Sequence, residues 1–186
     1  ANEVIWFYPS EDSLEIDRYV TYNYLENVWS IGTTDDGFTR TAWIEAESLD
    51  YPLSAGKTSG SNTNYLYNQE KGHSSDGSEF TSYIESSDFD LNPDGERLMF
   101  LSKLIPDVEF RDQDTTDDTV TFTIKGRNYP LGTLSTLQTV DVTPESTFTN
   151  LRARSRHAAI RISNTSINYG WRVGDLRLEI RPDGKR

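Results

Sequence analysis

Short apolar or alternating runs follow one another along this chain, separated by polar and glycine-rich gaps. Val4-Ile5-Trp6-Phe7-Tyr8 is β-branched and aromatic throughout, a composition that fits a pleated, half-buried surface. Arg18 to Tyr24 places Tyr19, Thr21 and Asn23 on one face and Val20, Tyr22 and Tyr24 on the other. Val28 to Ile31 follows after Leu25-Glu26-Asn27, a gap short enough to predict a hairpin. Thr41 to Ala46, Asn64 to Asn68 and Phe80 to Glu85 are the next predicted strands. Arg97 to Phe110 reads as a long run interrupted by Pro106. Val120 to Lys125 alternates as a half-buried strand does, and Gly126-Arg127-Asn128 predicts a turn. Leu137 to Val142, His157 to Ser163, Tyr169 to Val173 and Leu176 to Arg181 complete the set. No segment sustains a helical period, and only Ser10 to Ile16 predicts a helical turn or two. Many short strands at intervals of roughly 8–12 residues predict an all-β protein: sandwich, barrel or propeller.

Asn68 to Ser78 is polar and glycine-rich. Before it, hairpins with Trp at strand ends resemble pieces of propeller blades. After it, strands are longer and alternate more regularly, as in an antiparallel β-sandwich. The predicted organisation is a propeller-like hairpin segment over residues 1–72 and a sandwich-like domain over 73–186. No clean internal repeat is present, so a complete propeller is not expected within the chain. The first residues lack the basic start and long apolar run of a signal peptide. The abrupt entry into a strand predicts a piece of something longer. No stretch approaches 18 consecutive apolar residues, so no membrane span is expected.

Composition narrows the chemistry. The chain has 186 residues, and 12% are aromatic. That aromatic share predicts a folded chain although only 34% of its residues are hydrophobic. No Cys is present, which excludes disulfides, thiolate metal sites and cysteine nucleophiles. Two His leave little material for imidazole metal sites. The net charge is −12, against generic nucleic-acid binding. It is unevenly spread. Residues 1–150 carry 27 acidic and 9 basic side chains, and residues 151–186 carry 3 acidic and 9 basic. The basic segment includes Arg152, Arg154, Arg156, Arg172, Arg177 and Arg181. Arginine suits bidentate pairing with carboxylates. With so much carboxylate nearby, these arginines are expected to meet acidic surface on their own chain or on a neighbouring subunit rather than DNA.

One loop spaces oxygen ligands at alternate residues: Asp88, Asp90, Asn92 and Asp94. Hard cations such as Ca²⁺ take such oxygens. Counted from Asp90, however, the twelfth position is Leu101 rather than a bidentate Glu, and Pro93 stiffens the loop. A strand end followed by an Asx-rich turn accounts for the same residues. Asp112, Asp114, Asp117 and Asp118 read as an exposed loop tip. His73 and His157 lie in no triad-like setting, the serines lack nucleophile-elbow spacing, and no phosphate-cradling loop is present. Carboxylates are numerous, but no pair stands in a motif for glycoside hydrolysis. Trp6, Trp43, Tyr65 and Tyr67 suit either sugar stacking or, more commonly, the core of a small β domain. No enzymatic activity, cofactor or metal is expected.

Several phrases then combine: WFYPS at Trp6 to Ser10, DRYVTYNYLENVWSIGT at Asp17 to Thr33, RTAW at Arg40 to Trp43, YIESSDFDL at Tyr83 to Leu91, RARSRHAAIRI at Arg152 to Ile162 and GWRVGDLRLEIRPDGKR at Gly170 to Arg186. In this order they resemble the C-terminal part of tail nozzle, tail tubular or packaged-DNA-stabilisation proteins of short-tailed bacteriophages. The resemblance implies a virion structural protein of the phage tail, with a propeller closing in the N-terminal half and a sandwich after it. It also implies a homo-oligomeric ring of six subunits through which DNA passes without specific binding. Its partners would be neighbouring subunits and the adaptor or portal side of the tail, with the arginine-rich terminus as a subunit contact. A carbohydrate-binding β-sandwich recognising a host-cell glycan is the alternative expectation.

Overall fold

The structure is a computed structural model, and it describes residues 2–34, 38–58, 63–75, 77–91, 97–112 and 118–184. Among these residues there are 15 strands and no helix, an all-β fold built from antiparallel sheets. The chain divides into two compact units, Ala1–Ser75 and Asp76–Arg186.

The first unit holds two three-stranded meanders. One runs through β1 (Glu3–Tyr8), β2 (Arg18–Asn23) and β3 (Val28–Thr33), the other through β4 (Phe38–Ile44), β5 (Leu53–Thr58) and β6 (Tyr65–Asn68). Each sheet therefore has three described strands, where a propeller blade has four. The predicted β2–β3 hairpin forms. The Asn23 carboxamide oxygen accepts from the amides of Leu25 and Glu26, both at 3.1 Å, and Asn27 takes a left-handed φ of 55°.

The predicted helical turn at Ser10 to Ile16 does not form; turns and bends occupy it. A helix this short cannot repay the cost of its nucleus. Asp17 instead captures the Ser10 amide at 2.7 Å and its hydroxyl at 2.5 Å. These hydrogen bonds hold the Asp17 carboxyl below the usual aspartate value.

The second unit contains β7 (Ser82–Glu85), β8 (Met99–Ile105), β9 (Val108–Arg111), β10 (Val120–Arg127), β11 (Ser135–Val142), β12 (Thr149–Ser155), β13 (His157–Asn164), β14 (Gly170–Val173) and β15 (Arg177–Pro182). One sheet has the order β11-β10-β13-β7, a second β12-β8-β15, and β14 pairs with β9. The run from Arg97 to Phe110 breaks at Pro106, which has no N–H for a ladder. Between the two larger sheets lie Met99, Leu101 and Leu104 of β8, Val120, Phe122 and Ile124 of β10, Leu151 and Ala153 of β12, and Ala158, Ile160 and Ile162 of β13. This is a sandwich-like arrangement with one continuous core.

Two local devices close that core. Leu101 and Leu104 are three residues apart, so a strict two-residue period would send them to opposite faces. Register shifts opposite Ser102 in both neighbouring strands reset the phase, and both leucines are buried. Gly126 lets the end of β12 approach β10: a Cβ there would stand 2.7 Å from the Ser155 Cβ and 2.5 Å from a Leu137 methyl. The predicted turn at Gly126-Arg127-Asn128 is thus displaced. The strand continues through Arg127, and the chain reverses at Tyr129–Gly132, where the Gly132 amide donates to the Tyr129 carbonyl at 2.9 Å.

A buried polar knot fixes the approach to β14. The Tyr169 hydroxyl donates to the Thr119 carbonyl at 2.6 Å and accepts from the Thr119 amide and the Asn164 side chain, both at 2.8 Å. Tyr169→Phe leaves the Thr119 amide without this acceptor, while the Asn164 side chain keeps its bond to the Thr119 carbonyl at 2.8 Å. It should cost about 1–3 kcal/mol, read as a lower urea midpoint; an unchanged midpoint would show that the knot carries no stability.

Burial differs sharply between the units. Among the described residues, every buried apolar side chain falls between Leu98 and Tyr169. The buried residues of the first unit with side chains are polar: Thr21, Thr34 and Ser54. Its two sheets meet through Phe7 and Trp43, with ring centroids 5.4 Å apart, and Phe7 also lies 6.2 Å from Tyr19.

Candidate functional site

In the loop read as a Ca²⁺ candidate, one carboxylate forms an ion pair and another faces an imidazole. Asp88 lies 2.5 Å from the Arg127 guanidinium at the end of β10, and Asp90 lies 3.6 Å from the His157 imidazole at the start of β13. Asn92 and Asp94 are outside the described residues. Among the described residues, no three His, Asp or Glu side chains converge as metal ligands. Asp114 and Asp117 of the second acidic loop are also outside the described residues.

The arginines of the basic segment do not form one patch. Arg152 and Arg154 project from the outer face of β12, because Leu151, Ala153 and Ser155 take the inner positions. Arg154 forms an ion pair with Asp183 and donates to the Asp183 carbonyl at 3.0 Å. Arg156 is the single residue linking β12 to β13, strands that belong to different sheets. Arg172 stands on β14 opposite Glu109. On β15, Arg181 pairs with Glu179, whose carboxyl is held below its usual value by that contact, while Arg177 is exposed.

A further cluster sits on the outer face of the β10–β13–β7 sheet. Glu85 accepts from Lys125 at 2.7 Å and from Arg161 at 3.1 Å, and Arg161 lies over the Tyr83 ring at 3.7 Å. The hydrogen bond from Lys125 leads the lowering of the Glu85 pKa. A lowered carboxylate pKa stabilises the fold above the group's unfolded pKa. That stability is lost as pH falls through the folded value. Glu85→Gln should remove a contribution of at most about 1 kcal/mol at neutral pH and flatten the acid side of the stability profile below about pH 4.3. Acid unfolding curves of the two proteins that superimpose would refute this.

At one end of the sandwich, Arg127 and Arg154 line an open groove of about 280 Å³, and Arg154 and Arg156 line a second of about 200 Å³ beside it. Asn128, Tyr129, Thr133, Ser135, Leu137 and Ser155 line the larger one, and Asn128, Tyr129 and Arg154 are common to both. Sequence reading singled out Arg154 and Arg156 but neither Tyr129 nor Ser155. The one available signal was the Tyr-Pro-Leu-Gly turn beside a strand end.

The second feature not anticipated is the outer face of the first sheet. Cross-strand partners share a face, so Val4, Tyr22 and Trp29 line up beside Trp6, Val20 and Ile31. Trp29 stacks on Tyr22 at 4.4 Å and on Trp6 at 5.9 Å. Trp6 is 46% exposed, Trp29 60% and Ile31 77%. Of the aromatics weighed as core, Trp6 and Tyr65 are therefore at the surface, while Trp43 packs on Phe7. The outer face of the second sheet carries Ala42, Ala55 and Leu66 beside Ile44 and Leu53, with Ile44 and Leu66 exposed.

Among the described residues, no helix is long and apolar enough to cross a membrane. No family model and no curated protein matches this chain.

Proposed function

We propose that this chain is a non-enzymatic virion structural protein of a short-tailed phage tail, repeated around a ring that retains and conducts DNA. The supporting observation is the first unit: two sheets with apolar outer faces and no buried apolar side chain among the described residues. A sheet face of Val, Ile, Trp and Tyr gains free energy when another sheet covers it, at roughly 25 cal/mol per Å². Blade-like sheets stack face to face in that way. An outward apolar face on each of the two sheets suits a head-to-tail contact, which closes into a ring when the rotation per copy permits. The excess of carboxylate over residues 1–150 repels a phosphate backbone and lets duplex DNA pass without being gripped. Its neighbours in the virion are further copies and adjoining tail proteins.

Native mass measurement and electron microscopy of the purified chain test this. A closed ring with no duplex retained at physiological salt is the expected result. A monomer at tens of micromolar, or tight duplex binding, would overturn it.

A further inference from the structure

We infer that the free edge of β3 takes up one further strand: an extended segment of another protein, apolar at alternate positions and basic at its ends. This stands on the first unit alone and does not require the ring. Exposed strand edges are templates for pairing, and folds blunt them with short strands, bulges, charges or proline. Outside the first sheet, the described edges are blunted in those ways. β6, β7, β9 and β14 have four residues each. β4, β11 and β12 are bulged. β15 carries Arg177, Glu179 and Arg181 and ends at Pro182. In the first sheet both edge strands have six residues in unbroken register, but β1 begins with Glu3. β3 is Val-Trp-Ser-Ile-Gly-Thr, with neither charge nor proline, and among the described residues no strand pairs with its outer edge.

The register fixes which backbone groups stand free. The Thr34 amide donates to the Asp17 carbonyl at 2.9 Å. Bonded pairs alternate along an antiparallel ladder. Gly32, Ser30 and Val28 therefore turn their N–H and C=O towards β2, and Thr33, Ile31 and Trp29 turn theirs outward. The side chains of Trp29 and Ile31 lie on the exposed outer face. A strand bonded to this edge sets alternate side chains beside that tryptophan and isoleucine, and apolar ones gain most from the contact. Charge decides what flanks them. Residues 1–75 carry 12 acidic and 4 basic side chains, and Glu26 is exposed just before β3. That field draws in a segment with basic ends and opposes the pairing of two copies of this edge.

The probe is a capped peptide, Lys-Thr-Val-Thr-Val-Thr-Lys, titrated into the whole chain and followed by NMR and amide hydrogen exchange. Without peptide, the amides of Trp29, Ile31 and Thr33 should exchange rapidly and those of Val28, Ser30 and Gly32 slowly. Saturating peptide should slow the outward three by about tenfold or more. N-methylation of both valines removes the donors that face β3 and should weaken binding about tenfold or more. Glutamate in place of both lysines should weaken it by about the same factor at low salt. Thr33→Pro removes one outward donor and no bond to β2. It should weaken the peptide about tenfold and leave the melting temperature unmoved. The inference fails if the outward amides are already slow without peptide, if no binding saturates, if the N-methylated or glutamate-flanked peptide binds as well, or if Thr33→Pro leaves the affinity unchanged. A dimer in native mass measurement that Thr33→Pro abolishes would also overturn it, by making a second copy the occupant of the edge.

Discussion

Phe122→Ala is expected to lower the stability of the second unit by about 3–5 kcal/mol, the most damaging single truncation among the described residues. Phe122 is 0% exposed, the largest fully buried side chain among the described residues, and sits mid-strand on β10 between Val140 of β11 and Ile162 of β13. Its removal opens a cavity between two sheets whose ladders hold them in place, so little collapse can refill it. Small domains have only about 5–15 kcal/mol in hand. The substitution should therefore bring the urea midpoint of the unit close to zero denaturant or abolish folding. Phe122→Leu keeps more of the volume and should lose much less, about 1–1.5 kcal/mol. Hydrogen exchange of the β10 amides is the direct reading. If those amides stay as protected in Phe122→Ala as in the parent, the core does not fold as one cooperative unit.

If the proposed ring forms, Trp29→Asp combined with Ile31→Asp is expected to take it apart while leaving each protomer folded. Both side chains lie on the outer face of the first sheet and are mostly exposed in the single chain. Charging them costs the free protomer little, yet it would bury two carboxylates in any apolar contact. Tryptophan also dominates interface energetics out of proportion to its area. Association should weaken by at least about 100-fold, seen as monomer by native mass measurement, with the melting transition of the second unit unmoved. Undiminished rings would mean that the covered face lies elsewhere.

The sequence made β10 legible because one face is buried and the other is not: Val120, Phe122 and Ile124 alternate with Thr121, Thr123 and Lys125. Where the period breaks, reading failed for physical reasons. β5 is Leu-Ser-Ala-Gly-Lys-Thr, with little intrinsic strand preference, and becomes a strand because β4 and β6 pair with it on either side. β12 hides its inner Leu151, Ala153 and Ser155 between arginines, which drew attention to charge instead. The Ca²⁺ reading of Asp88 and Asp90 could not foresee Arg127 and His157, tens of positions away, as the groups those carboxylates face. Nothing local reveals that Trp6 would lie outside. An alternating aromatic strand looks the same whether its second face meets a core, a neighbour or water.

The pairing of β8 with β15 also sets an order of events. Ser102 and Glu179, bonded across that pair, are 77 positions apart, and β7 must likewise wait for β13, its partner through Arg161 and Glu85. Contacts this distant in sequence are slow to form. On the ribosome, β8 emerges with its apolar face complete but leaves one edge unpaired until nearly all of the unit has been made. Met99, Leu101 and Leu104 are therefore the surface most in need of protection during synthesis. A chain halted before Arg177 would present an open strand edge beside them, a template for aggregation rather than a smaller version of the fold.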